Sequence, residues 1–238
     1  MILPILRRGA TELGLNLSAV QIEQFEKYYQ LLVDWNERFN LTAVSEYVAV
    51  QIFHFLDSLS LIESGVEFDG QTIIDVGAGA GFPGIPLKIA FPNIQLTLLE
   101  ATGKKTIFLA EIAAALGLTG VIVLNARAEE AARQAEHREQ YDTVISRAVA
   151  SLDTLCELCL PFCRLGGTFI AMKKGEIQIE TEEAAPAIET LGGRLREIKN
   201  VNLAGLPDIR KLVIIDKITT TPAGYPRRSG MPSKKPLR

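Results

Sequence analysis

Ile73-Ile74-Asp75-Val76-Gly77-Ala78-Gly79-Ala80-Gly81-Phe82-Pro83-Gly84 decides the fold: a short apolar run carries one acid, and glycines then follow at alternate positions. Glycine takes positive φ without steric cost and lets main-chain amides approach a ligand, and open α/β sheets bind ligands at the carboxyl ends of their strands. The stretch therefore reads as a first strand over 72–76 feeding a ligand-binding turn. Working outward, apolar runs at 95–99, 121–124, 143–146, 168–172, 195–201 and 211–216 predict six more strands. Helical patterns at 85–90, 104–116, 128–134, 152–162 and 177–191 separate most of them. Parallel neighbours need such crossovers, so the expectation is a mainly parallel seven-stranded α/β sheet of Rossmann-like type. Only the loop 202–210 joins the last two runs, which should pair antiparallel and give the sheet an antiparallel edge strand.

Ahead of the sheet, residues 1–67 read as a helical extension. Ser18 followed by Gln21 is a capping-box pair, and Ile22, Phe25, Tyr29, Leu32, Trp35 and Phe39 recur at helical spacing up to about Asn40. Thr42 is placed to cap a second helix, with one or two short helices over 50–62. Residues 68–220 form the ligand-binding domain, and 221–238 a basic tail expected to be extended and mobile without a ligand.

The chain has 238 residues, 47% hydrophobic and 22% charged, enough apolar material for a core, which excludes global disorder. The net charge of −3 argues against a general nucleic-acid coat, whose binding rests on Lys and Arg neutralising phosphates. That average conceals an asymmetry. Arg227, Arg228, Lys234, Lys235 and Arg238 stand in the tail without an acid, leaving 20 basic against 28 acidic residues, or −8, in the first 220. Three cysteines within eight positions make no disulfide framework and fit a reducing cytoplasm. Neither a membrane-spanning apolar run nor a signal-peptide pattern is seen, so a soluble cytoplasmic protein is expected.

The spacing of the glycines narrows the ligand. A dinucleotide fingerprint, G-x-G-x-x-G, would place its third glycine at position 82, which is Phe82; here it is Gly81. The order D-x-G-x-G-x-G, from Asp75 through Gly77, Gly79 and Gly81, resembles motif I of the Rossmann-like, class I S-adenosylmethionine (SAM) methyltransferases. SAM has no pyrophosphate to seat on a helix N-terminus, and an acid such as Asp75 can receive its ammonium. Glu100, ending the second strand 25 residues after Asp75, can accept from both ribose hydroxyls, as it would also in an NAD site. After the third strand, Ala128 permits main-chain contact with an adenine and Glu129 can accept from its amine, or Glu129 is a solvated acid in a first helical turn.

Ser146-Arg147-Ala148 follows the fourth strand. It lacks the N/D-P-P-Y/F that seats exocyclic amines, and no Pro-Cys nucleophile for pyrimidine carbon 5 occurs. A ring nitrogen with a free lone pair needs alignment rather than a base. Arg147, permanently charged, suits a cofactor carboxylate or an RNA phosphate, or is a plain surface arginine. Cys156, Cys159 and Cys163 read as a packed helical stripe with Leu152 and Leu160 rather than a metal site. His54 and His137 give no metal spacing, and His54 reads as a polar residue on a helix face.

Taken together, 35–42 with Trp35-Asn36, His54-Phe55-Leu56-Asp57-Ser58-Leu59, the Gly-Phe-Pro-Gly-Ile-Pro of 81–86, Arg127-Ala128-Glu129, Ser146-Arg147-Ala148 and Tyr225-Pro226-Arg227-Arg228-Ser229-Gly230-Met231-Pro232 make the chain similar to a known family. This is the bacterial small-subunit ribosomal RNA methyltransferase family RsmG (GidB), which makes 7-methylguanosine in 16S rRNA. The resemblance spans nearly the whole chain. It implies SAM contacts from Gly77, Phe82, the turn Glu100-Ala101-Thr102, Ala128, Glu129 and Arg147, and a 16S rRNA guanine as acceptor; the expected partner is 16S rRNA in the small subunit or an assembly intermediate, and the chain is expected to be a monomer. The 100–102 turn and the doubled lysine in Met172-Lys173-Lys174-Gly175 depart from the usual pattern. Candidate phosphate contacts are Lys104, Lys105, Lys173, Lys174, Arg227 and Arg228; Lys104 and Lys105 alternatively just open a solvated helix. The leading expectation is in-line methyl transfer from SAM to nitrogen 7 of one rRNA guanine without an obvious general base. A small-molecule SAM methyltransferase, an NAD-dependent oxidoreductase and a non-catalytic SAM-sensing or RNA-binding module are the alternatives.

Overall fold

The structure is a computed structural model that describes residues 2–147, 150–203, 205–206 and 209–237. Ala148 of the 146–148 motif, Arg238 of the tail and three positions of the 202–210 loop lie outside the described residues. Strands β1 (Thr72–Val76), β2 (Gln95–Glu100), β3 (Val121–Asn125), β4 (Tyr141–Ser146), β5 (Cys163–Lys174), β6 (Gly193–Val201) and β7 (Arg210–Lys217) form one sheet in the order β3-β2-β1-β4-β5-β7-β6. Strands β3, β2, β1, β4 and β5 are parallel, while β7 pairs antiparallel with both β5 and β6. The expected antiparallel pair is therefore present, with the reversed strand inserted one place inside the edge. Strand order turns around between β1 and β4, and a crevice opens there at the strands' carboxyl ends.

Both faces of the sheet are buried, and alternate residues serve opposite cores. Ile73, Ile145, Ile170 and Ile214 face one apolar cluster, while Ile74, Val144, Phe169 and Ile215 face the other. The first cluster is covered by α1 (Pro4–Glu12), α2 (Ala19–Phe39) and the helical stretch α3 (Tyr47–Val50), π turn Gln51–Leu56, α4 (Asp57–Leu59) and 3₁₀ turn Ser60–Ser64. Helices α5 (Gly84–Ala90) and α6 (Gly103–Ala115) complete that layer. The second is covered by α7 (Ala128–Ala131), α8 (Leu152–Cys159) and α9 (Gln178–Thr190). No helix among the described residues is long and apolar enough to cross a membrane.

The capping box forms: Ser18 Oγ accepts from the Gln21 amide at 3.3 Å, and Gln21 Oε1 accepts from the Ser18 amide at 2.8 Å. Three expectations need correction. Glu46, not Thr42, caps the next helix, accepting from the amides of Val48 and Ala49; the Thr42 hydroxyl instead lies 2.9 Å from His54 Nε2. The helix expected over 152–162 stops at Cys159, because Pro161 sits in a 3₁₀ turn, and Cys163 opens β5. The three thiols still share one core, where burial pushes Cys163 up to about 12. Finally, the tail is folded onto the body rather than free. Arg138 donates to the carbonyls of Thr221 and Tyr225, both at 2.8 Å, and a short helix, α10 (Met231–Lys234), closes it.

Candidate active site

The glycine turn hangs from the end of β2. The amides of Gly77 and Ala78 donate to the Leu99 carbonyl at 2.9 and 3.1 Å, and Gly77, Gly79 and Gly81 all take positive φ. At Gly81 (φ +94°) a Cβ would meet the Tyr28 hydroxyl at 2.6 Å and Ile85 Cδ1 at 2.7 Å, so packing and backbone together demand glycine. A Cβ on Gly77 would meet nothing within 4 Å, so that end of the turn is open. Tyr28, from α2, braces the turn by donating to the Ala80 carbonyl at 2.5 Å and stacking on Phe82 with ring centroids 5.2 Å apart.

Three acids stand on this side. Asp75 is fully buried beneath the turn, its Oδ2 accepting from the Gly84 amide at 2.8 Å, while Oδ1 is the one buried side-chain oxygen without a partner among the described residues. The side chain is turned to the Gly84 amide rather than presented at the surface for an ammonium, which revises its expected part. Burial raises its pKa to about 7; the Gly84 amide and Arg147 oppose the rise and Glu100 adds to it. Glu100 accepts from the Gly79 amide at 3.0 Å and the Thr102 amide at 2.8 Å, tying the turn after β1 to the turn after β2. Each oxygen keeps a second lone pair for a hydroxyl donor. Ala101 and Thr102 are exposed beside it, and Ala128 and Glu129 open α7, with Glu129 buried.

Across the crevice the character reverses. A cavity of about 650 Å³ is lined by Arg147, Lys173, Lys174, Arg210 and Lys211, together with His54, Asp57 and Glu180. Arg147 stands at its boundary with the glycine turn, its guanidinium carbon 5.1 Å from the centre of the Phe82 ring. Asp57 grips two arginines at once: Oδ2 accepts from Arg147 at 2.9 Å and Oδ1 from Arg210 at 2.7 Å. Lys173 pairs with Glu180 at 2.7 Å and donates to the Ala150 carbonyl at 2.9 Å. His54 stacks on Phe82 at 4.4 Å; burial first, then Arg147, lowers its value to about 4, so the ring is neutral.

The structure thus gathers Gly77, Gly79, Gly81, Phe82, Glu100 and Arg147 around one crevice. Lys173 and Lys174 both line the adjoining cavity, Lys174 exposed and Lys173 engaged. Lys104 and Lys105 lie in the first turn of α6, with the Lys104 ammonium 5.8 Å from the Phe39 ring centre. Arg228 is exposed, but Arg227 is consumed by Glu157, which removes it from the candidate RNA contacts. Sequence reasoning overlooked Tyr28, Arg210 and Lys211 and read Asp57 only as part of a motif. The partners of Asp57 lie 90 and 153 residues away, so no local spacing announces them.

The family rRNA small subunit methyltransferase G (GidB) matches residues 21–211. A Ribosomal RNA small subunit methyltransferase G from Dehalococcoides mccartyi is 56% identical over 229 residues, 96% of this chain and 97% of that one. One of the same description from Alkaliphilus metalliredigens is 46% identical over 98% of each. Among solved structures, M. jannaschii TYW2 in complex with AdoMet (TM-score 0.52, 17% identity, 68% of this chain and 77% of that one) shares the fold. So does a SAM dependent methyltransferase from Aquifex aeolicus (TM-score 0.52, 16%, 68% and 90%). With a family match over most of its length and relatives near half identity across nearly all of it, the chain belongs to the rRNA small subunit methyltransferase G family.

Proposed function

We propose that this chain transfers a methyl group from S-adenosylmethionine to nitrogen 7 of one guanine in 16S rRNA. The observation that carries the reading is the cation-lined cavity of about 650 Å³ opening directly beside the glycine turn, with Arg147 shared between them. The donor set fits the cofactor. The turn is open above Gly77, and Glu100 has lone pairs for ribose hydroxyls. Gly77, Gly79, Gly81 and Phe82 would hold the methionine part, Glu100 with Ala101 and Thr102 the ribose, Ala128 and Glu129 the adenine, and Arg147 the carboxylate. When bound, the cofactor supplies an electrophilic methyl on a sulfonium.

The protein's own task is then alignment. Nitrogen 7 of guanine carries a free lone pair, so no proton need be removed before attack. His54, neutral and stacked on Phe82, and Arg147, fixed by Asp57, form a rigid wall between cofactor and acceptor. Rigid walls of this kind convert binding energy into orientation. Lys174 and Lys211 stand at the cavity without an ion pair among the described residues and suit backbone phosphates. Rejection of other SAM chemistries rests on the same feature, since a small neutral metabolite has no use for two unpaired lysines beside the methyl donor.

Incubation with methyl-labelled SAM and small ribosomal subunits, naked rRNA or a pool of small metabolites tests this. Label should enter 16S rRNA, and borohydride/aniline treatment should cleave the chain at one labelled 7-methylguanosine. Label on a 2′-hydroxyl or an exocyclic amine, or in metabolites alone, would refute the proposal.

A further inference from the structure

One group of charges lies apart from both the glycine turn and the cation-lined cavity. Glu129, Glu130 and Glu157, on α7 and α8, are all engaged by the C-terminal segment. The Glu157 side chain is 1% exposed, and Arg227 envelops it: Nε donates to Oε1 at 2.9 Å and Oε2 at 3.1 Å, Nη2 to Oε2 at 2.5 Å, and the Arg227 amide to Oε1 at 2.7 Å. A buried carboxylate is tolerated only when its lone pairs are met, so this contact is a firm anchor. Just beyond it, Ser229 Oγ donates to Glu130 Oε1 at 3.0 Å and the Gly230 amide donates to Glu129 Oε1 at 2.7 Å. Arg133 reinforces the approach by donating to the Pro226 carbonyl at 2.5 Å, and Thr154 holds the exit by donating to the Pro232 carbonyl at 3.3 Å.

We infer that the segment 221–237 is a structural part of the cofactor pocket, and that Arg227 is a positioning residue which, through Gly230, aims Glu129 at the adenine amine. The inference rests on the proposed assignment of Glu129 as the adenine acceptor. With Oε1 taken by Gly230, Oε2 makes no hydrogen bond among the described residues and keeps its lone pairs in one fixed direction. A carboxylate fixed at one oxygen pays less entropy when the other binds. The tail thus recognises cofactor indirectly. Of its described basic residues, Arg228, Lys234 and Lys235 form no ion pair and are left for RNA.

Calorimetric titration of the full-length protein with S-adenosylhomocysteine tests this in a cycle of Arg227→Met and Glu129→Ala, with Arg227→Lys as a milder variant that keeps a charge for Glu157. Arg227→Met should weaken binding about tenfold and Arg227→Lys about threefold. Glu129→Ala should weaken it about tenfold, and Arg227→Met should add less than twofold in the Glu129→Ala background. Full additivity would overturn the inference, because a merely structural anchor would act equally in both backgrounds. Unchanged affinity in both Arg227 variants would overturn it while leaving the Glu129 assignment standing. Unchanged affinity in Glu129→Ala would overturn that assignment and the inference with it.

Discussion

The two halves of the crevice are built from opposite charges and held by opposite means. On the β1–β3 side stand Asp75, Glu100 and Glu129, and the turn is fixed by local main-chain amides: Gly77 and Ala78 on Leu99, Gly79 and Thr102 on Glu100, Gly84 on Asp75. On the β4–β7 side stand Arg147, Lys173, Lys174, Arg210 and Lys211, and the arrangement is fixed by ion pairs that span up to 153 residues. The difference fits the proposed placement of the two ligands, the cofactor on the acidic side and the polyanionic acceptor on the cationic side. It also explains why a net charge of −3 misleads: the charge is partitioned across one crevice, and Arg227 of the tail is turned inward onto Glu157.

The comparison breaks first at Asp57. Its side chain is 5% exposed and holds two guanidinium groups, so Asp57→Ala leaves both uncompensated beside each other. Breaking a buried pair from one side costs about 3–5 kcal/mol, and a denaturant titration should show a loss near the lower figure. A loss below about 1 kcal/mol would mean that the cationic half is not held by charge pairing. Next in size is Glu100→Ala, which removes the two proposed charge-assisted hydrogen bonds to the ribose hydroxyls, worth about 1.5 kcal/mol each, and so should weaken S-adenosylhomocysteine binding roughly 100-fold. Affinity for rRNA should change less than about twofold; parallel loss of both would show that the halves are one unit. A third effect is a pH slope from Asp75. Its folded value of about 7 lies above its ordinary value of 3.8, so between those limits the folded protein binds a proton that the unfolded chain does not. The ligand-free protein should lose stability as pH rises through that window, and Asp75→Asn should flatten the slope. Identical slopes for the two proteins would mean the carboxyl is not buried as described.

What was legible in the sequence follows the same division. The glycine turn, Glu100 and the strand periodicity are local signals, because each works through residues one or two elements away, and the strands fall at or within a few residues of their expected places. β5 is longer than expected since Cys163–Gly167 lacks apolar alternation and joins the sheet through pairing with β4 across a bulge between Tyr141 and Thr143. The cationic half was only half visible. Lys173 and Lys174 follow an obvious strand, but Arg210 and Lys211 come into register beside them solely because β7 runs antiparallel, pairing Lys174 with Arg210 and Lys173 with Lys211. The tail misled for a related reason. A run of basic residues reads as an RNA arm, and nothing near it in sequence reveals that Glu157, 70 residues earlier, is buried against Arg227.

The partition of the crevice is tested most directly by following two affinities against salt. Binding of S-adenosylhomocysteine and of a 16S rRNA fragment should be measured from about 50 to 200 mM salt in the wild type and in Lys174→Ala/Lys211→Ala. RNA affinity should fall steeply and log-linearly in the wild type, with the slope reduced by about one unit per lysine in the variant, while S-adenosylhomocysteine affinity stays within about twofold throughout. An unchanged RNA slope in the variant, or a cofactor affinity that falls with it, would contradict a crevice divided between acids for the cofactor and cations for the acceptor.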